Sequence, residues 1–309
     1  MTLVFCWLDR SFSRNCITSI ADTRSAYQDG AGEWQLLNET TTKLFGLGVK
    51  CHTFDGLGLE HYRAPDPYFE TEIGFAFAGY CFEALSIIAL MRRCLSRLVQ
   101  MDGNTEVRPT PEGYARLLDT IGTRYFASHR RREHHLVSFL MSGFSDQKPW
   151  VVEWSYRPQE GARHQVFDPI TTDNFFAIGD AGKHKKTQET IDAMRKAISR
   201  HRSGLVKRFK EIDERKLEDA RHVDAEKRLI ERTALESLDD EFKQTVGGVL
   251  QKMEVKPMGD KAFVDFCKDD EADILDGLPM VGSNLGYIPL NESMGMGSQV
   301  QESNPEEAP

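Results

Sequence analysis

The apolar residues of this chain come in short runs of strand length, and their order around two helical stretches restricts the fold more than any other feature. Residues 3–8 (LVFCWL) and 16–22 (CITSIAD) are apolar and β-rich, and the polar turn DRSFSRN joins them, which is a hairpin signal. The stretch 23–42 is polar and glycine-containing and reads as a loop with room for a short strand. Residues 43–54 (KLFGLGVKCHTF) and 71–78 (TEIGFAFA) read as two more strands, separated by the turn-rich DGLGLEHYRAPDP. Residues 80–101 read as a helix that is apolar almost all round at its start, which predicts deep burial. Residues 111–127 read as a second helix, with Thr110 as N-cap and Pro111 at its first position. Strand-like runs resume at 135–142, 149–156, 163–168 and 175–179. A long, highly charged helical region then covers 185–244, with Ile191, Met194, Ile198, Leu205, Phe209 and Ile212 at helical spacing, and strands at 247–255 and 261–267 close the series. Hairpin-connected strands with segregated helices predict a layered α+β domain.

Charge is distributed unevenly. The net charge of −9 comes from 48 acids against 39 Lys and Arg, but nine of those acids lie in 269–309, where there is no Lys or Arg. The body is therefore neutral, and no global basic field points to nucleic acid. The segment 269–309 is also rich in Gly, Ser, Asn and Pro, so it reads as a mostly disordered acidic tail behind a folded domain of residues 1–268. The six cysteines are scattered without a CxxC pair, which fits reduced packing residues in a cytoplasmic protein and gives no metal site. No signal peptide is visible, and Ile73 to Met91, the most hydrophobic stretch, is interrupted by Gly74, Gly79 and Glu83, so no membrane span is expected.

Several local motifs recur in a meaningful order: Thr2-Leu3-Val4 at the first strand, Ala21-Asp22-Thr23-Arg24 at the end of the second, and Lys43-Leu44-Phe45 opening the third. Ala78-Gly79 follows a strand and precedes the first helix, Ala177-Ile178-Gly179-Asp180-Ala181-Gly182 precedes the charged region, and Val246-Gly247-Gly248 opens a late strand. Over residues 2–255 this series resembles the proteasome β-subunit family of N-terminal-nucleophile (Ntn) hydrolases and its simpler bacterial relatives. The resemblance implies a four-layer αββα sandwich of two antiparallel sheets, with 185–244 as a long charged helical insertion. The chain departs from the family pattern at three points. The loops 22–43 and 55–70 are long, Asp180 stands where the family has Ser, and Thr245 is the nearest hydroxyl to the usual accessory Ser.

The resemblance also assigns roles. Removal of Met1 would leave Thr2 with a hydroxyl and a free α-amine on one residue. An α-amine has an ordinary pKa of about 7.7–8.0, so a fraction is neutral at pH 7 and can act as general base for the hydroxyl. Lys43 would set a cation beside Thr2 and favour the deprotonated forms of both groups. Asp22 would hold Lys43 charged and oriented, and the backbone N–H of Gly79 would donate to the oxyanion. From the residues alone, Met-Thr is a common start, Lys43 opens a strand, Asp22 caps a turn and Gly79 permits close packing. The expected activity is that of a threonine-type peptidase on peptide or protein substrates, assembled as a homo-oligomer, with no cofactor and no metal. A catalytically silent subunit or scaffold and a small-molecule amidase remain open alternatives, and an ATPase partner is not legible.

Other features have plainer readings. His134-His135 lacks a third ligand at usable spacing and reads as a strand entry. Gly179 to Lys186 lacks the full phosphate-loop pattern. The basic run 195–210 is followed by Glu211, Asp213 and Glu214 and reads as one face of an exposed helix. A continuous helix over 185–244 would be about 90 Å long at about 1.5 Å per residue, so a break is expected, at Ser203-Gly204. The apolar Leu205, Phe209 and Ile212 then make this insertion an expected contributor to self-association.

Overall fold

The computed structural model describes residues 3–10, 15–28, 31, 33–38, 41–53, 66–100, 107–128, 136–172, 174–179, 250–266, 274–275 and 278–279. Thr2, the charged region 185–244, Val246-Gly247-Gly248 and most of 269–309 lie outside the described residues. Strands β1 (Val4–Asp9) and β2 (Cys16–Asp22) form the expected hairpin. They are followed by β3 (Ser25–Gln28), β4 (Trp34–Asn38), β5 (Leu44–Thr53) and β6 (Phe69–Gly79). Then come α1 (Cys81–Leu95), β7 (Leu98–Gln100) and α2 (Pro111–Ser128). Strands β8 (Val137–Ser145), β9 (Lys148–Arg157), β10 (Gly161–Phe167) and β11 (Phe175–Ile178) follow. The late strands are β12 (Leu250–Met258) and β13 (Lys261–Phe266), with a short ladder of β14 (Ile274–Leu275) and β15 (Leu278–Pro279) beyond them.

Two sheets carry the architecture. One has the order β11-β1-β2-β12-β13, the other β10-β9-β8-β6-β5-β7. Among the described residues all pairings in these two sheets are antiparallel except β5 with β7. Strict alternation sorts the side chains between layers. Val4, Cys6, Leu8, Ile17, Met253 and Val255 of the first sheet meet Ala76, Ala78, Leu140 and Val151 of the second in one buried cluster. The opposite face of the second sheet, with Phe75, Phe77, Phe139, Trp150 and Trp154, packs under Ile87, Met91, Tyr114 and Leu118 of the two helices. The fold is thus α+β, with the two described helices on one side of the paired sheets. The sheets approach closely at Gly74, where a Cβ would lie 2.7 Å from Val255 Cγ2 and 2.8 Å from Met253 Cε. Each large apolar side chain buried in these layers contributes about 1.5–3 kcal/mol.

The N-terminus of α2 is as read: the Gly113 N–H donates to Thr110 Oγ1 at 3.1 Å, and Pro111 opens the helix. Helix α1 differs in two respects. It stops at Leu95, and Leu98–Gln100 instead pairs with the edge of β5 at Cys51, His52 and Thr53. It is also not buried all round. Ala84, Ile87, Ile88, Met91 and Leu95 face the sheet, while Phe82 is 73% exposed and Leu85 and Leu90 lie open. A helix lying on one flat sheet face buries one stripe only, whatever its composition. The stretch 23–42, read as a loop with room for a short strand, holds the two strands of the β3–β4 hairpin, a separate two-stranded ladder.

Candidate functional site

Asp22 ends β2 and Lys43 immediately precedes β5, so the two belong to different sheets and meet where those sheets come together. Lys43 Nζ lies 2.9 Å from Asp22 Oδ2, with side-chain exposures of 1% and 2%. The same ammonium donates to the carbonyl oxygen of Arg24 at 2.5 Å. The second oxygen of the carboxylate, Asp22 Oδ1, accepts from the backbone N–H of Leu3 at 3.1 Å. Leu3 N is the atom that joins covalently to Thr2.

The backbone of Lys43 is fixed from both sides. Its N–H donates to Gln251 Oε1 at 2.8 Å, and its carbonyl accepts from the Phe77 N–H at 3.1 Å. Gln251 Nε2 in turn donates to the Thr41 carbonyl at 3.5 Å, so one side chain from β12 clamps the approach to β5. Burial pushes the Lys43 ammonium below the ordinary lysine range, opposed by the charge and hydrogen bond of Asp22. Cys81, the first residue of α1, is close enough to interact electrostatically with it. Burial raises the Cys81 thiol, and Lys43 pulls it back down.

Gly79 closes β6 two residues beyond Phe77, so it sits about 7 Å along the strand that neighbours Lys43, at about 3.4 Å per residue. Its φ of +112° lies in the region that favours glycine, and a Cβ there would come within 2.1 Å of the Leu136 carbonyl oxygen. The next residue, Tyr80, donates its N–H to that same carbonyl at 3.1 Å. The glycine therefore lets the chain turn sharply from β6 into α1 while pressed against β8.

The structure thus brings Asp22 and Lys43 into direct contact and sets Gly79 on the adjacent strand, with Thr2 outside the described residues. Sequence reading missed the Arg24 carbonyl and Gln251. A main-chain oxygen carries no residue signal, and Gln251 is 208 positions from Lys43. Among the described residues no cluster of His, Cys, Asp and Glu could hold a metal ion. No described helix is long and apolar enough to cross a membrane.

No family model matches the sequence, and no curated protein matches it. Solved structures similar to this chain include Anbu from Hyphomicrobium sp. strain MC1, with a TM-score of 0.45 and 16% identity over 87% of this chain and 88% of that one. Another is Anbu, described as an ancestral β-subunit, from Yersinia bercovieri, with a TM-score of 0.43 and 16% identity over 85% and 86% of the two chains. At this identity and TM-score the similarity carries no statement about the chemistry of this chain.

Proposed function

We propose that this chain is a threonine-type N-terminal-nucleophile hydrolase, a proteasome-like peptidase in which Thr2, freed by removal of Met1, attacks an amide carbonyl. The observation that carries the reading is the buried Lys43–Asp22 pair tied through Asp22 Oδ1 to the N–H of Leu3. Burying two charges costs several kcal/mol per ion, and well-packed apolar residues commonly serve stability as well or better. A Lys–Asp pair sealed this completely, next to the residue joined to Thr2, is better explained by chemistry than by stability.

In this mechanism the Thr2 α-amine takes the proton of its own Oγ1, and Oγ1 forms a bond to the substrate carbonyl carbon. The charge that develops on the carbonyl oxygen is met by the Gly79 N–H. The C–N bond then breaks, the proton passes to the leaving amine, and water hydrolyses the ester left on Thr2. Asp22 and Arg24 O occupy two of the three N–H donors of Lys43, and the third has no partner among the described residues, so it can serve Thr2 Oγ1. The proposed assembly is a cytoplasmic homo-oligomer built from domains of residues 1–268, each with its acidic tail 269–309. The outer face of the first sheet, with Phe5, Trp7 and Ile20 fully or nearly fully buried, supports a fourth layer completing the αββα sandwich. The test is turnover of amide substrates by Thr2→Ala and Thr2→Ser. The alanine variant is expected to be inactive and folded, the serine variant partly active. An alanine variant as active as the parent would exclude Thr2 as the nucleophile, and a parent without turnover would put the silent-subunit reading in its place.

A further inference from the structure

Two exposed apolar surfaces of opposite charge character lie on this chain. The first is the outer face of α1. Phe82, Leu85 and Ala89 follow one another at helical spacing on its exposed side, and Leu90 flanks them. The helix's only acid, Glu83, is buried against the sheet, while Arg92 and Arg93 are exposed at its end. This outer face is therefore apolar and purely basic.

The second surface is the β3–β4 hairpin. It pairs with neither main sheet, and a lone two-stranded ribbon is marginal in water. Leu36 and Leu37 are 55% and 67% exposed, and the register shifts between them, from Ser25 opposite Asn38 to Ala26 opposite Leu36, so Leu37 is the extra residue of a bulge and the two do not alternate strictly across the ribbon. Residues 25–42 contain Asp29, Glu33 and Glu39 and no Lys or Arg, so the ribbon is apolar and purely acidic. Its base is anchored: Thr41 N–H donates to the Thr23 carbonyl at 2.9 Å, and Thr41 Oγ1 donates to Ser25 Oγ at 2.9 Å.

We infer that the acidic β3–β4 hairpin of one copy of this chain docks on the basic-ended outer face of α1 of the next. Among the described residues nothing covers either surface, and neither covers the other. They differ in shape and in sign of charge, so the contact that satisfies both is heterologous: each copy gives its hairpin to one neighbour and receives a hairpin from another. The contact buries the leucines against Phe82 and Leu85 and brings Glu33, the acid of the hairpin among the described residues, to Arg92 and Arg93. It does not depend on Thr2 being a nucleophile.

The test uses the full chain, with mass in solution measured by light scattering. A hairpin variant carries Leu36→Asp and Leu37→Asp, and a helix variant carries Phe82→Asp and Leu85→Asp. All four positions are exposed, so both variants are expected to keep the parent circular dichroism spectrum. The parent is expected above the mass of one chain, and each variant alone at the mass of one chain. An equimolar mixture is expected at twice that mass, because one intact hairpin and one intact helix face remain between the two. Arg92→Glu with Arg93→Glu tests the same contact without touching its apolar part and is expected to lower the parent mass. A parent at the mass of one chain, variants that keep the parent mass, or a mixture that stays at the mass of one chain would each overturn the inference. The second result would hand assembly to another surface, such as the 185–244 region.

Discussion

Lys43 meets Asp22 at 2.9 Å, and Lys256 meets Asp265 at 2.5 Å, yet the two lysines respond to their surroundings in opposite directions. At Lys43 burial prevails and the ammonium is pushed below the ordinary lysine range, although Asp22 resists. At Lys256 burial also works against the charge, but Asp265 and Glu254 together outweigh it and the ammonium is raised. The difference is access and number of partners. The Lys43 side chain is 1% exposed and faces one carboxylate, whereas that of Lys256 is 32% exposed and faces two at the end of the β12–β13 hairpin. Lys256 is a structural pair of the kind sheet edges carry. Lys43 is held under a penalty, and such groups cluster where chemistry is done.

The largest effect that separates the two pairs is on activity. Lys43→Ala is expected to lower covalent labelling and amide turnover by several orders of magnitude, because residues acting as a unit lose function together. Lys256→Ala is expected to leave both within about twofold, the ordinary result for a charge outside the acting unit. Equal losses in the two variants would erase the distinction. Stability gives a smaller contrast. Asp22→Ala strands a buried ammonium and is expected to cost about 3–5 kcal/mol by denaturant unfolding. Asp265→Ala leaves Glu254 to hold Lys256 and is expected to cost about 1 kcal/mol or less.

The smallest effect is a displacement along the pH axis. In the proposed mechanism labelling requires a neutral α-amine and a charged Lys43, so its rate should rise and then fall with pH. The falling limb tracks Lys43. Asp22 raises the Lys43 pKa against burial, so Asp22→Asn should move that limb to lower pH. A limb that stays in place, or moves up, would show that Lys43 is not the group titrating.

The strands were legible because they are short continuous apolar runs bounded by polar turns, as in residues 3–8, whose strand β1 is buried along its whole length. Asp22 and Lys43 were singled out only through the family resemblance of their motifs, since from the residues alone Asp22 reads as a turn cap and Lys43 as a strand opener. The β3–β4 hairpin was not, since its strands lie in a glycine-containing, polar stretch that buries no face in the main sheets. The end of α1 was misplaced because Leu98 and Val99 continue its apolar run, and only pairing with Cys51 and His52 shows them to be strand. Its burial was overstated because composition does not reveal how many faces of a helix meet a sheet. The grip of Gln251 on Lys43 depends on two sheets coming together and leaves no local trace.

The most direct test of the central claim is peptide mapping of the parent protein after reaction with an electrophile selective for an N-terminal threonine. The account predicts an intact mass lacking Met1 and a single adduct on Thr2, lost when Lys43 is alanine. A retained Met1, or an adduct that forms elsewhere and persists in the Lys43→Ala protein, would contradict it.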